Sequence, residues 1–117
     1  MSKDEDHVRL RHMLDHAREA IGLMQGKTRS HLERDRMLQL ALVRLIEIVG
    51  EAASRVSKEM QLAHANIPWA QITGMRHRLV HGYDFVDLEI LWQTVHEDLS
   101  QLIASLERIV AEEQPPA

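Results

Sequence analysis

The sequence LQLALVRLIEIVGEAASRV, at residues 38–56, predicts a long and extensively buried helix. Its apolar residues recur at spacings of three and four, which places them on one side of an α-helix. Further apolar residues at positions 41, 46, 48 and 53 widen this stripe. We therefore expect burial on more than one side, either inside a helical bundle or against a second subunit. The stripe itself consists of Leu38, Leu42, Leu45, Val49, Ala52 and Val56.

Gly50 lies near the middle of this predicted helix. Glycine in a helix interior costs about 1 kcal/mol relative to alanine, so its presence suggests a packing reason. Together with Ala52 and Ala53 it would let another helix approach closely.

Outward from this segment, the same periodicity predicts three further helices. The long helix is expected to span about residues 30–60, with Ser30 as its cap. A first helix precedes it at about residues 4–24, and a short third helix follows at about 68–81, after a break at Pro68. Asp87 is a suitable N-cap for a fourth helix with a heptad-like apolar seam. With no strand pattern and no internal repeat, the predicted fold is all-α, a bundle of four principal antiparallel helices.

Length and composition limit the classes of protein to which the chain can belong. The 117 residues fit a single domain over residues 1–117, with a polar tail from about residue 112 that is expected to be disordered. The charged amino terminus lacks the apolar stretch of a signal peptide, no segment could span a bilayer, and there is no cysteine. These features fit a cytoplasmic protein. The net charge of −4 argues against coating of nucleic acid, but leaves room for a local basic cleft.

Residues 76–83, RHRLVHGY, differ from the surrounding amphipathic pattern because they combine two arginines, two histidines, a glycine and the single tyrosine. On a continuous helix, His77 and His81 would lie one turn apart on the same face, with Arg76 beside them. Two histidines at this spacing can share a zinc ion, but Arg78 stands where metalloproteases carry a glutamate. His12 and His16 have the same spacing, which makes the pattern weak evidence for a metal.

Two other interpretations of this segment remain open from the residues alone. A histidine can act as acid or base near neutral pH, and an arginine can hold a phosphate during cleavage of RNA by its own 2′-hydroxyl. Arg76, His81 and Tyr83 fit such a set. Alternatively, the cations simply interact favourably with the carboxyl end of a helix that Gly82 terminates.

Arg76, His81 and Tyr83 also fit the pattern R-x4-H-x-Y, and here the chain resembles the HepT toxins of the HEPN superfamily. The resemblance spans about residues 38–102 and includes the segment RLIEIVGEA at residues 44–52. Other matching positions are Ile67, Pro68, Trp69, Ile72, Gly74, Met75, Asp87 and Trp92. His77 departs from the pattern, since close relatives usually have asparagine there, and we expect this difference to tune the site.

The resemblance implies a homodimeric, metal-independent endoribonuclease that acts as the toxin of a toxin–antitoxin pair. Arg76 would position the phosphate and His81 would transfer protons, with His77 and Arg78 supporting them in the cleft. The implied partner is a minimal nucleotidyltransferase antitoxin, which would transfer AMP from ATP to Tyr83 and so silence the enzyme. ATP would then be used by the partner, and this chain would need no cofactor or metal. The alternative is a non-catalytic helical binding partner of such a nucleotidyltransferase.

Two further residue types invite a functional interpretation. Glu47 and Glu51 lie one helical turn apart, and we expect structural ion pairs with Arg44, Arg55 or the motif arginines in preference to a catalytic role. Trp69 and Trp92 lie in helical patterns and are expected to be core residues rather than base-stacking platforms.

Overall fold

The computed structural model describes residues 3–82 and 85–113, and most of these residues are helical. This confirms the all-α fold class for the described part of the chain, while the four-helix arrangement and the homodimer stay predictions. The elements in chain order are α1 (Lys3–Leu23), α2 (Arg29–Arg34), α3 (Arg36–Ser54), α4 (Lys58–Ala63), α5 (Trp69–Thr73), α6 (Met75–Leu79), β1 (Val80–His81), β2 (Phe85–Val86), α7 (Leu88–Gln93), a π-helix (Thr94–Asp98) and α8 (Leu99–Glu113).

The core lies between α1, α3 and α8, because α1 packs along α3 and also against α8. The three helices contribute their apolar faces to one buried cluster. Representative members are Leu10, Met13, Leu14, Leu42, Val49, Ala53, Leu102, Leu106 and Ile109. The helix predicted at residues 4–24 is confirmed as α1, and α8 extends to Glu113. The disorder expected from about residue 112 stays a prediction. The remainder of that tail, 114–117, lies outside the described residues.

The predicted long helix at residues 30–60 is wrong in its continuity, because the chain breaks it twice. At Asp35 the backbone is extended, and the carboxylate caps α3 by accepting a hydrogen bond from the Leu38 amide at 3.0 Å. At Ser57 the hydroxyl caps α4 in the same way. Short polar side chains compete with the helix for backbone amides, and here that local competition overrides the apolar periodicity.

The predicted third helix at residues 68–81 is also interrupted. It divides at Gly74 into α5 and α6, and α6 ends at Leu79. The next residues form a short antiparallel pairing, with Val80 opposite Val86 and His81 opposite Phe85. His81 therefore does not share a helix face with His77, because β2 satisfies the backbone of β1 in place of another helical turn.

Gly50 has the packing role expected from the sequence. A Cβ atom at this position would lie 3.0 Å from the carbonyl oxygen of Ile72 in α5. Glycine thus allows α5 to lie directly against α3, and this contact fixes where α6 and the motif begin.

The predicted fourth helix begins as expected, with Asp87 Oδ1 accepting a hydrogen bond from the Ile90 amide at 3.1 Å. The heptad-like seam is nevertheless interrupted by the π-helix. Thr94 lies at its start, where the buried hydroxyl donates to the Ile90 carbonyl at 2.8 Å. Within residues 3–82 and 85–113, no helix is long and apolar enough to cross a membrane.

Candidate active site

Arg76 and Glu47 form the best-defined polar contact of the motif segment. Arg76 lies on α6, and its Nε donates to Oε2 of Glu47 on α3 at 2.5 Å. The other carboxylate oxygen of Glu47 accepts a hydrogen bond from Nη1 of Arg44, also at 2.5 Å. One carboxylate thus joins two arginines from two elements, and the close packing of α5 on α3 brings them together.

The two arginines control the charge state of Glu47. The hydrogen bond from Arg76 is the main cause that lowers the pKa of this carboxyl below its ordinary value of 4.5. Burial opposes this shift, and Arg44 adds to it. The carboxylate is therefore ionised at neutral pH, and the group of three residues keeps one net positive charge.

Arg76 remains available for a ligand. Its side chain is 55% exposed, whereas that of Glu47 is 21% exposed. In the described part of the chain, the hydrogen bonds of its side chain involve Nε alone. The terminal guanidinium nitrogens can thus donate to a phosphate while Glu47 fixes the orientation of the group.

His81 lies on β1 and is exposed to solvent. Its Nε2 lies 3.8 Å from Oδ2 of Asp87, and its ring contacts that of Phe85 with 5.9 Å between centroids. Asp87 uses its other oxygen to cap α7. The pairing of β1 with β2 therefore brings a carboxylate and an aromatic ring beside the predicted acid–base residue.

The other predicted members of the cleft do not share one environment. Arg78 is half-buried, and its charge acts on Asp98 in the π-helix, so it faces a different element from Arg76. His77 is exposed on α6, and its role stays a prediction. Tyr83 lies outside the described residues.

Several sequence interpretations can be compared with these contacts. The predicted pairing of Glu47 with Arg44 and a motif arginine is confirmed. The sequence predicts a helix and a connection in this segment, so it does not indicate that Asp87 lies near His81; the antiparallel pairing of β1 and β2 brings the two together. A β-branched residue and glycine at 80 and 82, followed by Phe85 and Val86, could have indicated two short strands.

The histidine pairs and the tryptophans also have definite environments. His77 and His81 lie on different elements, and His16 Nδ1 lies 2.7 Å from the backbone oxygen of His12. In the described part of the chain there is no group of three or more His, Cys, Asp or Glu side chains suited to a metal. Trp69 is buried as expected, with its indole donating to the His64 carbonyl at 3.0 Å. Trp92 is half-buried against the core and stacks on His96, with 4.6 Å between ring centroids.

Comparison with known proteins gives this geometry a context. The family described as Ribonuclease HepT-like matches residues 13–109 of the chain. A protein of Thermococcus cleftensis, provisionally named ribonuclease HepT, is 35% identical over 100 residues, covering 82% of this chain and 91% of the relative.

Two other relatives cover a similar share of the chain. A protein of Caldanaerobacter subterraneus subsp. tengcongensis, provisionally named an RNase, is 32% identical over 105 residues, or 90% of this chain and 94% of the relative. A protein of Methanocaldococcus jannaschii, also provisionally named an RNase, is 28% identical over 107 residues, which cover 92% of this chain and 98% of the relative. No solved structure matches the chain significantly.

Proposed function

The chain belongs to the ribonuclease HepT-like family, and we propose from this membership that it is a metal-independent endoribonuclease with Arg76 and His81 as its catalytic residues. The observation that carries the proposal is the anchoring of Arg76 by Glu47, because it orients an exposed guanidinium beside the segment that holds His81. The proposal extends to a role as the toxin of a toxin–antitoxin pair.

The proposed reaction is an internal transesterification of RNA. The ribose 2′-oxygen forms a bond to the adjacent phosphorus, and the bond from phosphorus to the 5′-oxygen of the next nucleotide breaks. The products are a 2′,3′-cyclic phosphate and a free 5′-hydroxyl. No external nucleophile is required, so the protein has to supply proton transfer and charge stabilisation.

Arg76 is suited to the charge-stabilising part of this reaction. Two terminal nitrogens can donate to two phosphate oxygens, and the negative charge on those oxygens increases in the pentavalent transition state. Because Glu47 already holds Nε, the guanidinium needs little rearrangement when RNA binds.

His81 is suited to the proton-transfer part. Its imidazole is exposed, so it can reach either the 2′-hydroxyl or the leaving 5′-oxygen of a bound strand. Asp87 lies on the Nε2 side of the ring, with Oδ2 3.8 Å from Nε2, which leaves Nδ1 for the substrate. Phe85 covers part of the ring and limits its motion.

Regulation and assembly form the second part of the proposal. A minimal nucleotidyltransferase antitoxin would transfer AMP from ATP to the hydroxyl oxygen of Tyr83, which follows His81 by two residues, and the α-phosphorus of ATP would release pyrophosphate. The added phosphate would place negative charge where the RNA phosphate binds and repel the substrate. A homodimer would bring two copies of Arg76 and His81 into one cleft and so raise the local positive charge.

The proposal is tested by RNA cleavage with purified protein in the presence of a chelator. The parent should cut RNA and leave 2′,3′-cyclic phosphate ends, and His81→Ala should lose at least a hundredfold in rate while keeping its helical content. His96→Ala is a matched control, since His96 is exposed and lies on the π-helix. If His81→Ala cut as fast as the parent, the catalytic assignment would be wrong. If no variant and no parent preparation cut RNA, the chain would act as a non-catalytic partner of the nucleotidyltransferase.

A further inference from the structure

A cavity of about 190 Å³ lies between α3, α5, the π-helix and α8, apart from the polar contacts of Arg76 and His81. An apolar cavity of about 150 Å³ is enough to hold benzene, so the present one has room for a single ring system and not for a whole nucleotide. Its apolar walls include Val49, Ile72, Met75 and Leu102.

Asp98 gives this cavity a specific chemical character. It lies in the wall together with Gln71 and Gln101. Burial raises the pKa of the Asp98 carboxyl, and the charge of Arg78 opposes that rise. Among residues 3–82 and 85–113, no group donates a hydrogen bond to this carboxyl, so both of its oxygens can accept from a ligand.

Asp98 is the last residue of the π-helix. π-helices are rare and are often found at functional sites. Here the turn contains Thr94 and Asp98, and both line the cavity. The hydroxyl of Thr94 is already bound to the Ile90 carbonyl, so Asp98 is the member of the pair that is open to a ligand.

We propose that this cavity binds a guanine base of the RNA substrate, with the two carboxylate oxygens of Asp98 accepting from guanine N1–H and the N2 amino group. The proposal rests on the proposed ribonuclease function and adds base specificity to it. A half-buried carboxyl without donors is unfavourable, and a ligand with two adjacent donors removes that penalty.

Guanine fits this requirement better than the other three bases. Its Watson–Crick edge carries two neighbouring donors, which match the two oxygens of one carboxylate. Adenine and cytosine each present one amino donor beside a ring acceptor, and uracil presents one donor between two carbonyl oxygens that a carboxylate would repel. Unstacked bases of single-stranded RNA are commonly recognised on this edge by side chains.

The position of the cavity connects it to the proposed active site. Met75 lines the cavity and directly precedes Arg76 on α6. Arg78, on the same short helix, acts electrostatically on Asp98. A base held in the cavity would therefore have its own sugar and phosphate close to the motif helix.

The proposal can be tested by binding of free mononucleotides, which does not depend on cleavage. Guanosine monophosphate should shift the NMR signal of the Met75 methyl group, with at least fivefold tighter binding than adenosine monophosphate. Inosine monophosphate, which lacks the N2 amino group, should bind with intermediate affinity. The exposed Met37 methyl group serves as an internal reference outside the cavity.

Asp98→Asn should abolish the preference for guanine, whereas Glu59→Gln, at an exposed residue of α4 outside the cavity lining, should keep it. Because burial raises the pKa of Asp98, its ionised form opposes folding at neutral pH, and the neutral variant is expected to fold at least as stably. Equal binding of guanosine and adenosine monophosphates, or an unchanged preference in Asp98→Asn, would overturn the proposal. A Met75 signal that changes on dilution of the protein alone would also overturn it, because the cavity would then be a subunit contact.

The outcomes separate this inference from the ribonuclease proposal. Guanine-selective binding without RNA cleavage would support the base site and contradict the nuclease. Cleavage of RNA with no base-selective shift at Met75 would support the nuclease and overturn the base site.

Discussion

Nε of Arg76 and Oε2 of Glu47 lie 2.5 Å apart, although 29 residues separate the two in the chain. The hydrogen bond crosses from α6 to α3, and it uses the one guanidinium nitrogen that a bound phosphate would need least. Arg44 occupies the other oxygen of the carboxylate, which limits rotation of Glu47. The orientation of the motif arginine is therefore set by the neighbouring helix and not by α6 alone.

Glu47→Gln should reduce the rate of RNA cleavage by about tenfold, or ~1.4 kcal/mol of transition-state stabilisation. Glutamine has the same shape but lacks the charge that orients Arg76, so kcat should fall while the helical content is unchanged. The measurement is steady-state cleavage of a fluorescent oligoribonucleotide. Glu51→Gln, one turn away and exposed, is the control and should cleave like the parent. Equal effects of the two substitutions would argue against a positioning role for Glu47.

The stability contribution of Glu47 should depend on pH. Its pKa is lowered in the folded protein, so the contribution is fully present above the unfolded value of about 4.5 and is lost as pH falls through the lower folded value. The difference in free energy of unfolding between the parent and Glu47→Gln should thus be largest near neutral pH and shrink below pH ~4. This difference is measured by denaturant unfolding of both proteins at several pH values. A difference that stayed constant down to pH ~3 would contradict the assignment of the shift to the arginine pair.

Asp87 has two roles that two substitutions can separate. Asp87→Ala removes both the cap of α7 and the charge near His81, and it should lower the free energy of unfolding by about 1 kcal/mol. Asp87→Asn keeps the cap, because asparagine is an equally good N-cap residue, and removes only the charge. We expect it to keep nearly the parent stability but to cleave RNA several-fold more slowly. Parent-like cleavage by Asp87→Asn would show that the charge beside His81 has no part in the reaction.

Tyr83 can be tested without reference to cleavage. Incubation with the cognate nucleotidyltransferase and ATP should add mass in steps of AMP, located at Tyr83 by peptide mass spectrometry. Tyr83→Phe removes the hydroxyl acceptor and should stay unmodified and toxic in cells that also produce the partner. Modification at a different residue, or an unmodified parent with an active partner, would contradict the proposed switch.

The sequence predicted the helical content and the cap at Asp87, but it predicted the local geometry of the motif poorly. Ser30, predicted as a cap, lies inside α2, whose cap is Thr28, and the caps at Asp35 and Ser57 were not predicted. The apolar stripe of α3, the cap at Asp87 and the close contact at Gly50 follow from side-chain chemistry within a short window, and each was found as expected. The interruption of the predicted third helix after Leu79 depends on pairing between β1 and β2, which propensity within one segment does not determine. Opposite charges suggest a contact between Arg76 and Glu47, but they suggest ion pairs with Arg55 or Glu51 equally well. Only the packing of α5 on α3 selects the pair of Arg76 and Glu47.

Gly50 and Gly22 form a matched pair that tests this packing. Gly50→Ala would place a Cβ atom 3.0 Å from the Ile72 carbonyl oxygen, and backbone cannot move aside as a flexible side chain can. We expect a loss of about 1–3 kcal/mol in the free energy of unfolding. Gly22 lies in α1 with no atom within 4 Å of an added Cβ, so Gly22→Ala should stabilise by about 0.5–1 kcal/mol.

The same pair connects packing to the proposed activity. Displacement of α5 would carry α6 away from α3 and lengthen the contact between Arg76 and Glu47, so Gly50→Ala should also cleave RNA more slowly under conditions where it remains folded. Gly22→Ala should cleave like the parent. Full activity of folded Gly50→Ala would mean that the position of α6 does not depend on the contact between Gly50 and Ile72.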